Sequence, residues 1–238
     1  MIQSQQQMEN LALEWGFLPF FRNRVEGFSI EEHTPEERWF SPEHPGPWEW
    51  KGPVIAEWRC AYGKFFTGKA GFVSLEWLPD FINWRRSQTP LEKMPPAARH
   101  IHQVLVEHES LLSQELKKAS GFTLSRRRSP EGNDGSTCDT LIARLEMATY
   151  VCIADFEYKI SRSGQSYGWG VARYCTPEAM YGSGIALCDR TPKESRARPP
   201  GTDDLIPRVV LPPNSLLILL LSLSYIYPKS VIRVSLLT

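Results

Sequence analysis

Between Pro95 and Cys175 the hydrophobic pattern changes period, and that switch constrains the fold more than any other feature of the chain. Helical stripes come first. In "PPAARHIHQVLVEHESLLSQELKKASGF", Ile101, Val104 and Leu105 share one apolar stripe and, after a break, Leu112 and Leu116 share another, the recurrence expected of amphipathic helices. Ser110 and Ser113 are candidate N-caps, since a serine oxygen accepts from a helical N–H that has no other partner, and Gly121 ends the second helix as a C-cap. The polar stretch "SRRRSPEGNDGST" predicts a loop. A third helix from about Cys138 to Tyr150 turns Leu141, Ile142 and Leu145 inward and leaves Thr140, Ala143, Arg144 and Met147 on or near the opposite face. Then "VCIADFEYKISRSGQSYGWGVARY" gives two runs of β-branched and aromatic residues around a polar turn, with Gly164 placed for a positive φ. Three helices followed by a hairpin within about 80 residues is the element order of a winged helix, a helix-turn-helix variant with a strand pair appended.

The expected class is therefore α+β: a Trp-rich, loop-rich module over residues 1–94 with room for a second winged-helix-like unit, a winged-helix domain over 95–191, and an apolar tail over 192–238. Seven of the eight tryptophans (Trp15, Trp39, Trp48, Trp50, Trp58, Trp77, Trp84) precede Met94, interleaved with Pro and Gly as in "SPEHPGPWEWKGP", which predicts short elements and loops. A first helix is expected from Gln5 to Trp15, stopped by Gly16, and a short one near Leu75 to Trp84. In the tail no charged residue occurs between Arg208 and Lys229, but Pro212, Pro213 and Asn214 split the run. The remaining segment, roughly 13 residues long, covers only ~20 Å as a helix against ~30 Å of bilayer hydrocarbon. A buried segment is expected rather than a membrane span, and an altered reading frame after about Ser195 would also produce so sharp a switch. The N-terminal "MIQSQQQ" has neither a basic nor an apolar signal region, so a cytoplasmic location is expected.

Composition excludes several classes. Lys plus Arg and Asp plus Glu both total 27, so the chain is formally neutral and any basic surface must be local. Five cysteines, odd in number and without a CxxC spacing, indicate neither a disulfide framework nor zinc. No phosphate-binding, dinucleotide-binding, zincin or nucleophile-elbow motif occurs, and neither metal nor cofactor is expected. His100 and His102 would point to different helix faces, and His33 near Glu31 and Glu32 in "SIEEHTPEER" reads equally as an acid/base site and as part of a helix start with acidic first-turn residues.

A winged helix that binds DNA lays its third helix in the major groove and its hairpin on the backbone. Here that helix offers Thr140 and Arg144, the latter able to make a bidentate guanine contact. Lys117, Lys118, Arg126, Arg127, Arg128, Lys159 and Arg162 are candidates for phosphate contacts, opposed in the same segment by Asp139, Glu146, Asp155 and Glu157. Trp48 and Trp50, beside Pro47 and Lys51, are candidates for stacking on an unpaired base, although tryptophans in so short a module are mostly core. Double-stranded DNA, damaged DNA included, is the expected partner, with no membrane.

The blocks "WEWKGPVI", "AYGKFFTGKAGFVSLEWLPDF", "NWRR", "LLSQELKKASGF" and "ARLEMATYVCIADFEYKISRSGQSYGWGVARY" resemble those of the AlkZ-related bacterial proteins, relatives of the AlkZ-type DNA glycosylases. The resemblance runs from roughly Trp15 to Thr191 and fails in the tail. It implies tandem winged helices and a DNA-associated protein acting on alkylated bases or interstrand crosslinks. AlkZ-type glycosylases position water with a Gln-x-Gln or Gln-x-Asp motif. The nearest look-alike by context is Glu146-Met147-Ala148, in which Ala148 has no hydrogen-bonding side chain, and the letters Gln-x-Gln at Gln5 to Gln7 fall in a polar N-terminal tract. No catalytic residue is carried over. The expected function is DNA binding by a winged helix; the alternatives are a glycosylase hydrolysing the N-glycosidic bond of a damaged base, and a protein–protein adaptor.

Overall fold

Gly16 stops the first helix as expected. Helix α1 (Gln5–Trp15) is opened by the Ser4 hydroxyl, which accepts from the Gln7 N–H, and closed by Gly16 at φ 75°, from which the chain enters β1 (Phe17–Pro19). The computed structural model describes residues 1–41, 43–122, 136–160, 164 and 166–198. After β1 come α2 (Ile30–His33), α3 (Pro47–Ala56), β2 (Cys60–Phe66), β3 (Lys69–Ser74) and α4 (Leu78–Gln88). A second series follows: α5 (Pro96–His108), β4 (Ser110–Leu112), α6 (Ser113–Ala119), α7 (Cys138–Met147), β5 (Cys152–Ile160) and β6 (Ser166–Cys175). Two short helices, α8 (Pro177–Tyr181) and α9 (Pro192–Ala197), close the described chain.

The order helix, short strand, helix, helix, hairpin thus occurs twice, and the strand pairing repeats with it. β1 pairs with β3 and β3 with β2; β4 pairs with β6 and β6 with β5, all antiparallel. The registers superpose: Phe17, Leu18 and Pro19 face Val73, Phe72 and Gly71, as Ser110, Leu111 and Leu112 face Cys175, Tyr174 and Arg173. Left-handed residues recur at the same places, Gly16 and Glu109 after the first helix, Trp58 and Thr149 after the third. Matching Trp58 to Thr149 brings Tyr62 onto Ile153, and those two residues pair with each other where β2 meets β5. A pseudo-twofold axis passes through that pair, and the six strands form one sheet in the order β1-β3-β2-β5-β6-β4.

Several local expectations are corrected. The module before Met94 is less loop-rich than expected: besides α1 and α4, which form at or near the expected helices, α3 is a ten-residue helix over the Pro- and Gly-rich stretch. The segment "PWEWKGPVIA" is helical because Pro47 occupies the first turn, where a missing N–H costs nothing, and the Glu49 carboxylate accepts from the Gly46 N–H at 2.9 Å. Pro53 lies on the exposed side of that helix. Ser110 begins a strand rather than capping a helix, and Ser113 is already inside α6, whose start is closed by Glu115 Oε2 accepting from the Leu112 N–H at 2.8 Å. Gly121 does end that helix, at φ 78°, with the Phe122 N–H reaching the Lys117 carbonyl at 2.8 Å, and Gly164 has φ 79°. Helix α7 stops at Met147, short of Tyr150, because Thr149 takes φ 63°. The β5–β6 strand pair is not simply appended to its three helices: its root joins the six-stranded sheet through Ile153, while from Asp155 outward β5 pairs only with β6.

Aromatic rings fill the first half. Phe20, fully buried, has Phe21, Trp39, Trp48 and Tyr62 around it at centroid separations of 5.2 to 6.0 Å, each such pair adding about 0.5–1.5 kcal/mol beyond area burial. The halves are tied by Arg86 of α4, which bonds Glu178, donates to the Thr149 carbonyl at 2.9 Å and lies over the Tyr150 ring. The first residues of the expected tail form α9, packed on α4; the uncharged run beyond it lies outside the described residues. Among the described residues no helix is long and apolar enough to cross a membrane.

Candidate functional site

The two third helices cross the seam in opposite senses, α3 packing on β5 and α7 on β2. Their buried positions match: Trp50, Lys51, Val54 and Ile55 in α3, and Leu141, Ile142, Leu145 and Glu146 in α7. Each half therefore holds an ionisable residue where the other holds isoleucine, Lys51 against Ile142 and Glu146 against Ile55.

Glu146 has a backbone task. β2 and β3 shift register between Gly63 and Phe66, and a bulge leaves ladder groups unpaired. Glu146 Oε1 accepts from the Lys64 N–H at 3.2 Å, and from α4 the buried Arg85 Nη2 donates to the Phe65 carbonyl at 3.2 Å. In β5, which shifts register between Ile153 and Asp155, the Asp155 carboxylate accepts from the neighbouring Phe156 N–H at 2.7 Å. Burial raises the Glu146 carboxyl to about 7 despite the Lys64 charge and N–H, and its Oε2 has no hydrogen-bond partner. Burial likewise raises the Tyr62 and Tyr174 phenols, with Glu146 adding to the effect. Arg85, desolvated between the Phe81 and Trp84 rings, is lowered to about 10.

Lys51 is 5% exposed. Its Nζ lies 4.7 Å from the Trp48 ring centroid and 4.3 Å from that of Phe156. Burial lowers it to about 8, partly offset by Glu49.

The outer face of α7 carries Thr140 and Arg144, both exposed. The helix is capped by Thr137, whose hydroxyl accepts from the Thr140 N–H at 3.2 Å. Beside it, Lys117 of α6 pairs with Asp139 at 2.9 Å, the two side chains 35% and 62% exposed. Such a pair contributes only about 0–1 kcal/mol, so Lys117 can exchange it for a phosphate. Lys118 is exposed. Lys159 sits opposite Tyr167 in the hairpin register, its side chain outside what is described; Arg126, Arg127, Arg128 and Arg162 lie outside the described residues altogether. The acidity expected to oppose these cations is reduced, because Glu146 is buried and Glu157 is paired with Arg173. Of the two stacking candidates, Trp48 is half-buried among Phe20, Phe21 and Trp39, whereas Trp50 belongs to the core, beneath Arg38. Among the described residues no group of His, Cys, Asp and Glu could hold a metal ion.

The family model described as AlkZ related matches residues 2–199. This chain belongs to the AlkZ-related family. No curated protein and no solved structure matches it. The AlkZ-related match takes in every described residue but Met1 and, like the resemblance of the sequence blocks, leaves the uncharged tail outside. In this AlkZ-related chain the triplet Glu146-Met147-Ala148 places its first and last residues in the core. The glutamines at 5 to 7 open α1, where Gln7 Oε1 accepts from the Gln3 N–H at 2.7 Å.

Sequence reasoning placed Glu146 among the surface acids and Lys51 merely beside a tryptophan. Glu146 had a signal: it stands four residues after Ile142 on the inward stripe. Lys51 had none, because half of its cage, Phe156, comes from the other half of the repeat.

Proposed function

We propose that this AlkZ-related protein binds DNA through two winged-helix units, residues 1–94 and 95–191, joined at their hairpins, and that it serves DNA repair in the cytoplasm. The observation that carries this reading is the asymmetry of the third helices. The exposed stripe of α3 is Glu49, Pro53 and Ala56, whereas α7 turns Thr140 and Arg144 outward with Lys117 and Lys118 alongside. The second unit is therefore the reader: α7 enters the major groove, the hairpin beyond Asp155 follows the backbone, and Arg126, Arg127 and Arg128 add phosphate contacts. The test is a gel shift with duplex DNA at several salt concentrations. Binding should weaken with salt and on Arg144→Ala or combined Ala substitution of Arg126 to Arg128; a shift indifferent to all of these, or none, would leave the adaptor reading.

The glycosylase reading draws on one observation, a carboxyl at Glu146 that changes protonation near neutrality as a general acid or base must. Its Oε1 is already committed to the Lys64 N–H of the β2 bulge, beneath the sheet rather than beside a ring that reaches the surface, so binding is the stronger reading. Alkylated duplex that shows no alkali-labile breaks at protein excess would remove the glycosylase.

A further inference from the structure

Five charged residues are buried among the described ones, and four of them bond a partner. Glu9 holds Arg59, Asp80 holds Arg190 and Arg198, and Arg85 and Glu146 complete the β2 bulge. Lys51 is the fifth. No carboxylate, carbonyl or hydroxyl among the described residues accepts from its Nζ, and the nearest acid on its own helix, Glu49, is turned to the Gly46 N–H. The fold does not call for an amine here, since Ile142 fills the same place in the other half. The two flanking rings are each only partly buried, so the amine lies one ring beneath the surface, between Trp48 and a strand of the hairpin.

A desolvated, unpaired lysine is the arrangement that makes an amine nucleophilic toward carbonyl compounds. With its value near 8, about half of it is neutral at pH 8. We propose that Lys51 captures the sugar aldehyde of an abasic site in DNA, with the Trp48 indole occupying the gap left by the missing base. The inference rests on the DNA-binding reading and names the lesion it serves. The neutral Nζ adds to the C1′ aldehyde of the ring-opened sugar. The carbinolamine loses the aldehyde oxygen as water, taking both amine protons, to leave an imine. Once protonated, that imine draws the electron pair of a C2′–H bond; the proton passes to water, the 3′ phosphate departs with the C3′–O pair, and hydrolysis of the imine restores the amine.

The experiment incubates the full chain with a duplex bearing one abasic site, with and without borohydride, and maps any adduct by peptide mass spectrometry. A covalent complex at Lys51, reduced at least about tenfold by Lys51→Arg and Lys51→Met, is the expected result. A gel shift on the same duplex without reductant is run for each variant, and each variant's unfolding midpoint is measured. Binding without a trapped adduct, or an adduct on the Met1 amine or another lysine, overturns the inference and leaves DNA binding standing. Absence of binding removes both. Reductive labelling with deoxyribose 5-phosphate, which needs no duplex, should still favour Lys51 over the exposed lysines; equal labelling of all lysines overturns the claim of special reactivity.

Discussion

Tyr62 and Ile153 pair with each other across the seam and are each other's counterparts in the repeat. The two halves therefore meet edge to edge at their symmetry axis, and the Tyr62 ring belongs to both cores, 4.8 Å from Phe72 in its own half and 5.9 Å from Phe156 in the other. Tyr62→Ala should cost about 3–5 kcal/mol. In urea the tryptophan fluorescence, which reports mainly the first half, and the far-UV circular dichroism of the whole chain should show one coincident transition shifted to lower midpoint. Two separated transitions would mean that the halves fold independently.

The repeat supplies an internal control for backbone strain. Gly16 and Glu109 hold the same left-handed turn, at φ 75° and 61°. A Cβ at Gly16 would lie 2.5 Å from Trp77 Cδ1, whereas Glu109 is exposed. Glu109→Gly should therefore be stabilising by about 0.5–1 kcal/mol, and Gly16→Ala destabilising by more than that. Thermal melts of the two variants beside the parent give the check; equal effects would contradict the placement of Trp77 against the turn.

Much of the second half was legible because its elements carry their own local signals. The inward and outward faces of α7 follow from helical spacing alone, and the Gly121 cap and the Gly164 turn from the one residue type that enters φ > 0 without strain. The α3 stretch was misread as loop because Pro and Gly in "SPEHPGPWEWKGP" mark helix starts as readily as turns, and local composition cannot separate the two. The seam was not legible: the pairing of Tyr62 with Ile153, and the exchange of isoleucine for Lys51 and Glu146, depend on which distant strand each helix covers. The DNA-contact candidates split in the same way, the exposed Lys118 and Arg144 being readable from helix faces and the Lys117 pair with Asp139 only from tertiary packing.

Asp80 anchors the last described helix. Its carboxylate accepts from Arg198 at 2.8 Å, Arg190 at 3.0 Å and the Cys188 thiol at 3.4 Å. Desolvation alone would raise it, but the hydrogen bonds from Ser195, Cys188 and Arg198 and the Arg190 charge outweigh that and hold it below the ordinary value. A carboxyl depressed in the folded state contributes stability above its unfolded pKa and loses it as pH falls through the folded one. Helix α9 should remain docked at pH 5 and loosen in stronger acid. Asp80→Ala should loosen it at neutral pH, speeding tryptic cleavage at Arg190, Lys193 and Arg196 about tenfold; an unchanged cleavage rate would show that Asn83, which donates to the Arg190 carbonyl at 2.7 Å and Ser195 Oγ at 2.9 Å, is a sufficient anchor.

Glu146 makes the opposite pH dependence. Its value rises from 4.5 to about 7 on folding, chiefly by desolvation, so between those values the folded chain keeps a proton that the unfolded chain has released. Stability from this group therefore falls as pH climbs through that window and levels off above 7, a loss of up to about 3 kcal/mol. Glu146→Gln retains an acceptor for the Lys64 N–H without the charge, so relative to the parent it should be near neutral at pH 4.5 and stabilising at pH 8. Glu146→Ile copies the other half of the repeat but leaves that N–H without an acceptor, costing about 1–3 kcal/mol at pH 4.5 and recovering most of the difference at pH 8. Urea midpoints of the three proteins at the two pH values distinguish the contributions; a Gln variant with the parent's pH dependence would mean that the carboxyl stays ionised in the folded chain.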